Sequence, residues 1–285
     1  MLAECRFPAP GTAVTCAVSG GADSLALLAL AVEAGCAATA VHVDHGLRPG
    51  SAAEAEVVAA RADRLGAGFH GVRVEVAPGP NLEARARAAR YAALPPDVLT
   101  GHTADDQAET ILLNLLRGAG LDGLAAMRPG GRHPILRLRR HQTRALCAEL
   151  GLHPVEDPTN ADPAHRRNRV RHELLPRLAD VAGRDPVPVL ARQAELLGAE
   201  ADLLDALAAD LDPTDARALA AAPPALARRA LRRWLRDHGD AEQHPPDAAA
   251  VERALAVARG ETRATEVGGG RRVARTGGRL RVAEG

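Results

Sequence analysis

A chain of 285 residues, 46% hydrophobic, is long enough for a sizeable core, and its 36 basic and 36 acidic residues balance overall without being evenly spread. Its only aromatics are Phe7, Phe69, Tyr91 and Trp234, which leaves Leu, Val and Ala to build that core. The longest apolar run, Leu25 to Val32, is closed by Glu33 far short of a bilayer span, and "MLAECRFPAP" lacks the order of a signal peptide.

The first 150 residues alternate between two periodicities. "TAVTCAVS" reads as a buried strand, followed by a helix that Asp23 or Ser24 caps and Gly35 ends. "ATAVHVD" is a second strand, and Ser51 with Glu54 forms a capping box for a helix stopping near Gly66. "HGVRVEV" alternates valine on one side only, as a strand near an edge does. Asn81 opens a helix that Pro95 and Pro96 terminate. "DVLTGH" reads as a further strand, then a helix from about Ala104 to Arg117, with a core face at Ala108, Ile111, Leu112 and Leu115 and Gly118 at its end. Repeated strand–helix units imply an α/β fold: a parallel sheet with helices on both faces.

Beyond Arg128 the pattern loosens. "HPILRLR" is a candidate strand, and "HQTRALCAELGL" a helix ended by glycine. "RDPVPV" at 184–189 reads as a hinge, dividing the chain into domains 1–184 and 185–285. The second is helical to about Arg259, and its tail, "RRVARTGGRLRV", reads as a hairpin about Gly277 and Gly278. Arg128 to Arg177 carries eleven arginines against five acids, whereas Gln193 to Asp215 has seven acids and no base. The first stretch is the expected partner surface, the second a solvated acidic helix. Cys5, Cys16, Cys36 and Cys147 show neither C-x-x-C nor zinc-like spacing, so they read as buried free thiols in a cytoplasmic protein.

The chemistry centres on Ser19-Gly20-Gly21-Ala22-Asp23-Ser24. A strand running through glycines into a helix start offers backbone N–H groups and a positive helix end to phosphate. A carboxylate there repels phosphate unless it holds magnesium or orients another group. There is no Gly-Lys-Ser/Thr of a Walker loop and no third glycine of a dinucleotide fingerprint. The stretch resembles the pyrophosphate loop of N-type ATP pyrophosphatases, a Rossmann-like, adenine nucleotide α-hydrolase-like fold, which implies ATP. Two further polar strand ends fit a nucleotide crevice: His42 and Asp44 on one side of "HVDHGLRPGS", and His102 of "GHTADDQAET". Asp105, Asp106 and Glu109 cluster in the first turns of the following helix.

Five stretches carry a closer resemblance: "SGGADS", "HVDHGLRPGS", "NLEARARAARY", "LTGHTADDQAETILLNLLRGAGLDGLAAM" and "EDPTNADPAHRRNRVRHELLPRL". In that order they resemble the tRNA(Ile)-lysidine synthetase family. The resemblance implies that ATP adenylates the wobble cytidine of an isoleucine tRNA with a CAU anticodon, and that free L-lysine then displaces AMP to give lysidine. It assigns ATP contact to the loop and to His42, Asp44 and His102. The catalytic candidates are Asp23, with magnesium, Asp105 and Asp106, which suit metal, lysine binding or base duty alike, and Arg87 and Arg90, three apart on one helix face and placed to contact phosphate. RNA contact falls to Arg166, Arg167 and Arg169, and further tRNA contact to the helical domain. It also implies a short form of the family, lacking the further C-terminal domain of long members. The alternatives are a tRNA thiolation enzyme of the same superfamily, against which the absence of paired cysteines counts, and a non-catalytic RNA-binding protein with a relic loop.

Overall fold

A computed structural model describes residues 1–44, 46, 51–75, 85, 88–89, 91–155, 162–238 and 246–284. It divides into two compact units, Met1–Gly198 and Ala199–Gly285.

In the first unit, β1 (Ala13–Ala17), β2 (Ala37–Asp44) and β3 (Gly68–Arg73) form a parallel sheet in that order. Helices α1 (Ala22–Glu33) and α2 (Ser51–Arg64) are the crossovers. The register sets Cys16 opposite Ala40 and Ala17 opposite Val41, so alternate residues serve two separate cores. On one face Cys16, Ala38 and Ala40 pack with Leu25, Leu28 and Val58. On the other, Val41 packs with Leu94 and Val98. Helix α1 is apolar nearly all round, and Leu25 to Ala31 are all buried, because the sheet covers one side and helix α5 (Arg140–Glu149) contributes Cys147 on the other. Each fully buried leucine contributes about 1.5–3 kcal/mol.

Several expectations are corrected. "DVLTGH" makes only one parallel bridge, Leu99 to Cys16, since the Thr100 N–H turns away to the Arg132 carbonyl at 2.8 Å. "HPILRLR" is a series of turns rather than a strand. Pro134 has no N–H to give a ladder, and Ile135, Leu136 and Leu138 are all buried instead of alternating. Helix α3 (Ala104–Leu116) is followed by a short turn of helix α4 (Leu121–Leu124). Its Ala108, Ile111 and Leu112 are buried as expected, but Leu115 is exposed. The burying partners, Val170, Leu175 and Val187, meet the helix around Ala104, Ala108 and Leu112.

After α5 come α6 (Arg166–Arg169), a π-helical turn (Val170–Leu174) and α7 (Leu175–Ala182). The "RDPVPV" hinge is instead the start of α8 (Val187–Ala209): the Asp185 carboxylate accepts the Val187 N–H at 2.9 Å, and Val187 is packed in the core with α3. The Ser51 side chain of the Ser51–Glu54 capping box, the start of the Asn81 helix, His45 and Val76 lie outside what is described.

The second unit contains α9 (Ala216–Ala221), α10 (Pro224–Asp237) and α11 (Ala248–Arg259). In α10 the buried residues Ala227, Ala230, Leu231, Trp234 and Leu235 follow the one-face spacing of an amphipathic helix. The expected hairpin is present as β5 (Arg271–Thr276) and β6 (Arg279–Glu284). Gly277 and Gly278 join it at φ +57° and +77°, angles that suit glycine. The sequence reading did not include the third strand, β4 (Ala264–Gly268). Val267, Val273 and Leu280 pack with α11. Among the described residues no helix is long and apolar enough to cross a membrane.

Candidate active site

The Ser-Gly-Gly loop joins β1 to α1, and three features hold its shape. Gly20 takes φ +86°, and its carbonyl accepts the Val155 N–H at 2.9 Å. Gly21, not Asp23 or Ser24, is the N-cap of α1. The Ser24 hydroxyl donates to the Gly21 carbonyl at 2.8 Å and accepts the Ser19 N–H at 3.2 Å, so its proton is committed to the loop. The Ser19 side chain is exposed. A Cβ at Gly21 would meet nothing closer than Ser19 Oγ at 3.7 Å, so the space over the helix start is open. An open cradle of first-turn N–H groups fits a phosphate chain.

Around it converge the first turns of α1, α3 and α5. Asp23 accepts a hydrogen bond from the buried Thr143 hydroxyl of α5. Asp106 closes a capping box on α3 with Thr103, whose N–H and Oγ1 donate to its Oδ2 at 2.8 and 2.9 Å. Arg140 of α5 joins the helices. Its Nη2 donates to Asp106 Oδ1 at 3.0 Å, its Nη1 to Glu109 Oε1 at 3.2 Å, and its Nε lies 3.6 Å from Asp23 Oδ2. Asp105 is held by both Arg139 Nε, at 3.0 Å, and the Arg140 N–H, at 2.8 Å.

Glu109 is wholly buried. Arg167 reaches its Oε2 at 2.6 Å and Arg171 its Oε1 at 2.7 Å, beside Arg140. A buried carboxylate is tolerable only with such partners, since its desolvation costs several kcal/mol. Arginine neighbours hold the Asp105 and Asp106 carboxyls below the usual range despite burial. Asp23 goes the other way. Burial raises it, helped by the nearby Asp106 charge, and the Thr143 hydrogen bond and the Arg140 charge only partly oppose this.

The four carboxylates therefore differ in spare capacity. Both oxygens of Asp105, Asp106 and Glu109 accept hydrogen bonds. Among the described residues, Asp23 Oδ2 has only Arg140 Nε, at 3.6 Å, beyond hydrogen-bond reach. Among the described residues no cluster of three metal-ligating side chains occurs. Magnesium held by one or two carboxylates plus substrate phosphates needs none, and Asp23 is the carboxylate that fits it.

The two polar strand ends lie nearby in the fold. Buried His42 donates from Nδ1 to the Val18 carbonyl at 2.8 Å, tying β2 to the root of the loop. Asp44 Oδ1 accepts the Gly46 N–H at 2.8 Å. His102 shares the Thr100 hydroxyl with His133, each Nδ1 at 2.8 Å. Burial and Arg132 lower His133. Of the three arginines expected to meet RNA, Arg167 turns into the acidic cluster, while Arg166 and Arg169 are exposed. Arg87 and Arg90 lie outside the described residues. The sequence reading passed over Arg139, Arg140, Arg171, Thr143 and His133. Alternation could not reveal them, because they come from turns and helix starts far along the chain; only the excess of arginine after Arg128 hinted at them. Three of the cysteines are buried, but Cys5 is only half-buried. Burial pushes the Cys16 thiol up to about 12 and that of Cys147 to about 11, leaving neither a thiolate at neutral pH.

Residues 2–178 match the model of a PP-loop domain, and residues 215–281 that of a TilS substrate binding domain. The tRNA(Ile)-lysidine synthase of Nocardia farcinica is 47% identical, over 94% of this chain and 89% of its own length. Those of Rhodococcus jostii and Salinispora tropica are 45% and 44% identical, over 92% and 96% of this chain and 85% and 91% of theirs. Among solved structures, the U34-tRNA thiolase NcsA from Methanococcus maripaludis with its 4Fe-4S cluster aligns with a TM-score of 0.54 at 17% identity. It covers 66% of this chain and 73% of its own. That likeness shows the fold alone.

Proposed function

Because the chain belongs to the tRNA(Ile)-lysidine synthase family, we propose that it ligates L-lysine to C2 of the wobble cytidine of tRNA(Ile) with a CAU anticodon. ATP is consumed to AMP and pyrophosphate, and the work is done in the cytoplasm. In the first step the cytosine O2 attacks the α-phosphorus and pyrophosphate leaves. In the second the lysine ε-amine attacks C2, loses a proton and expels AMP.

The observation that carries this reading is Asp23 Oδ2 at the mouth of the loop, which accepts no hydrogen bond among the described residues. The loop N–H groups and the Ser19 hydroxyl bind the phosphates, and the α1 dipole favours their charge. When bound, magnesium supplies charge neutralisation for the pyrophosphate leaving group; Asp23 would hold it. Arginine neighbours hold the Asp105 and Asp106 carboxyls below the ordinary carboxylate range. Their part is to fix Arg139, Arg140 and Arg167, which set the positive field beside the reacting phosphate. His42, near the end of β2, and His102, just past the Leu99 bridge, border the nucleotide crevice in this reading. The second unit, whose residues 215–281 match a substrate binding domain, contributes tRNA contact. The protonated thiols count against sulfur transfer.

The test is incubation with ATP, magnesium, labelled lysine and tRNA(Ile) bearing CAU. Label should enter RNA only with ATP and the wobble cytidine present, with equimolar AMP and pyrophosphate. The methionine elongator tRNA should be a far poorer acceptor; a tenfold preference needs only about 1.4 kcal/mol of differential binding. Absence of lysine incorporation, with ATP and tRNA(Ile) both bound, would refute the assignment.

A further inference from the structure

The segment from Arg166 to Leu174 has two faces with different duties. Arg167 and Arg171, four apart, turn inward to Glu109. The opposite face and the far end of α3 enclose a groove of about 530 Å³. Its floor is apolar, made by Leu113, Leu116, Val170 and Leu174, and its rim is basic. Leu116 is 71% exposed at the edge. Glu173 on the rim is answered by Arg169, at 3.3 Å, and Arg177 by Asp180, at 2.9 Å. Arg117 and Arg166 also line the groove, and among the described residues neither has a carboxylate partner. The rim therefore holds unspent positive charge over an apolar floor.

Position narrows the occupant. Ten residues separate Asp106 from Leu116 on α3, which is about 15 Å along the axis. A free amino acid or a nucleotide in this groove cannot also react at the Asp23 end. The occupant must be one part of a long anionic molecule whose other part reaches the loop. We propose that this groove seats an unpaired nucleotide of the tRNA substrate, a neighbour of the nucleotide that reacts, with its base on the leucine floor and its phosphates between Arg117 and Arg166. Unpaired loop bases can be splayed out in this way, and arginine planes can stack on them where aromatics are absent. The inference rests on the tRNA reading above and adds to it a site, residues and a mode of contact.

Binding of full-length tRNA(Ile) carrying CAU, without ATP or lysine, tests it directly by anisotropy across a salt series. The double variant Arg117→Ala/Arg166→Ala should bind at least tenfold more weakly, with a log–log salt slope shallower by about 1.4, two single-strand phosphate contacts being lost. Leu116→Ser removes floor without changing charge, so it should weaken binding several-fold at an unchanged slope. In the wild type, 4-thiouridine placed at unpaired anticodon-loop positions should crosslink to peptides of α3 or α6. Wild-type affinity and slope in both variants would overturn the groove while leaving the lysine reaction standing. Loss of a self-associated species in sedimentation, with tRNA binding intact, would overturn it too by making the groove an interface between copies. If the wild type binds no tRNA at all, groove and reaction fall together.

Discussion

Gly101 lies against the backbone of Asp23 so closely that a Cβ on it would come within 2.6 Å of the Asp23 carbonyl oxygen and 2.9 Å of the Ser24 nitrogen. Backbone atoms cannot rotate aside as a side chain would, so Gly101→Ala must push the chain after Leu99 away from the loop. The expected cost is about 1–3 kcal/mol, as for overpacking elsewhere, with ATP binding lost as the helix start moves. Gly21→Ala offers the contrast. Its φ is −72° and its surroundings are open, so stability should be kept while the added methyl obstructs the phosphate. Thermal melts and ATP titrations of both variants would check this; equal melting losses would refute the distinction.

Asp23→Asn should abolish lysine incorporation without lowering the melting temperature at neutral pH. Burial raises the Asp23 carboxyl above its ordinary value of 3.8. The folded state therefore binds that proton more tightly than the unfolded chain, and the group's stabilising contribution is lost as pH rises through the folded pKa. At pH 7 the charge is a cost that asparagine removes, while its amide oxygen can still accept from Thr143. Magnesium with ATP should raise the wild-type melting temperature and leave the variant unmoved. A variant that retains activity would show Asp23 to be structural only.

Asp105 and Asp106 carry the opposite sign. Arg139 and Arg140 hold the Asp105 carboxyl below 3.8, and Arg140 and Arg167 that of Asp106. The stability they contribute is full above the unfolded value and disappears as pH falls through the lower folded one. Neutralising Asp105 to Asn should accordingly cost stability at pH 7 and cost progressively less below pH 3.8. Denaturant midpoints measured across that range give the answer.

Removing Glu109 should be the most damaging single change to the cluster. Three guanidiniums, those of Arg140, Arg167 and Arg171, meet its carboxylate, and Glu109→Ala leaves them to repel one another around a void. Breaking a buried ion pair from one side costs about 3–5 kcal/mol, and denaturant unfolding should show a loss of that size. A loss below about 1 kcal/mol would mean that water or the arginines themselves rearrange to fill the site.

Arg166 and Arg167 are adjacent in sequence yet should behave differently. Arg167 is bound to Asp106 and Glu109, so Arg167→Ala should lower the melting temperature and hardly change the salt dependence of tRNA binding. Arg166 is exposed, so Arg166→Ala should melt normally and flatten the salt slope by about 0.7, one phosphate contact. Identical behaviour of the two would refute the two-faced reading of this segment.

The strand–helix alternation, the Ser-Gly-Gly loop, the acids opening α3, the helical second domain and the glycine hairpin were all legible in the chain. Each rests on local chemistry: side-chain periodicity, a glycine backbone, or charge at a helix start. What local chemistry does not encode is which distant groups meet. The turns at "HPILRLR" came from a proline and from burial on every side, and the single bridge at Leu99 from competition for one N–H. Arg140 and Thr143 reach Asp23 across more than a hundred residues of sequence. The sequence by itself determined that Asp23, Asp105, Asp106 and Glu109 exist at helix starts. Only the tertiary structure decided that, among the described residues, three of them have both oxygens occupied and Asp23 keeps one open, because spare hydrogen-bond capacity depends on every partner the fold delivers, not on the residue that carries it.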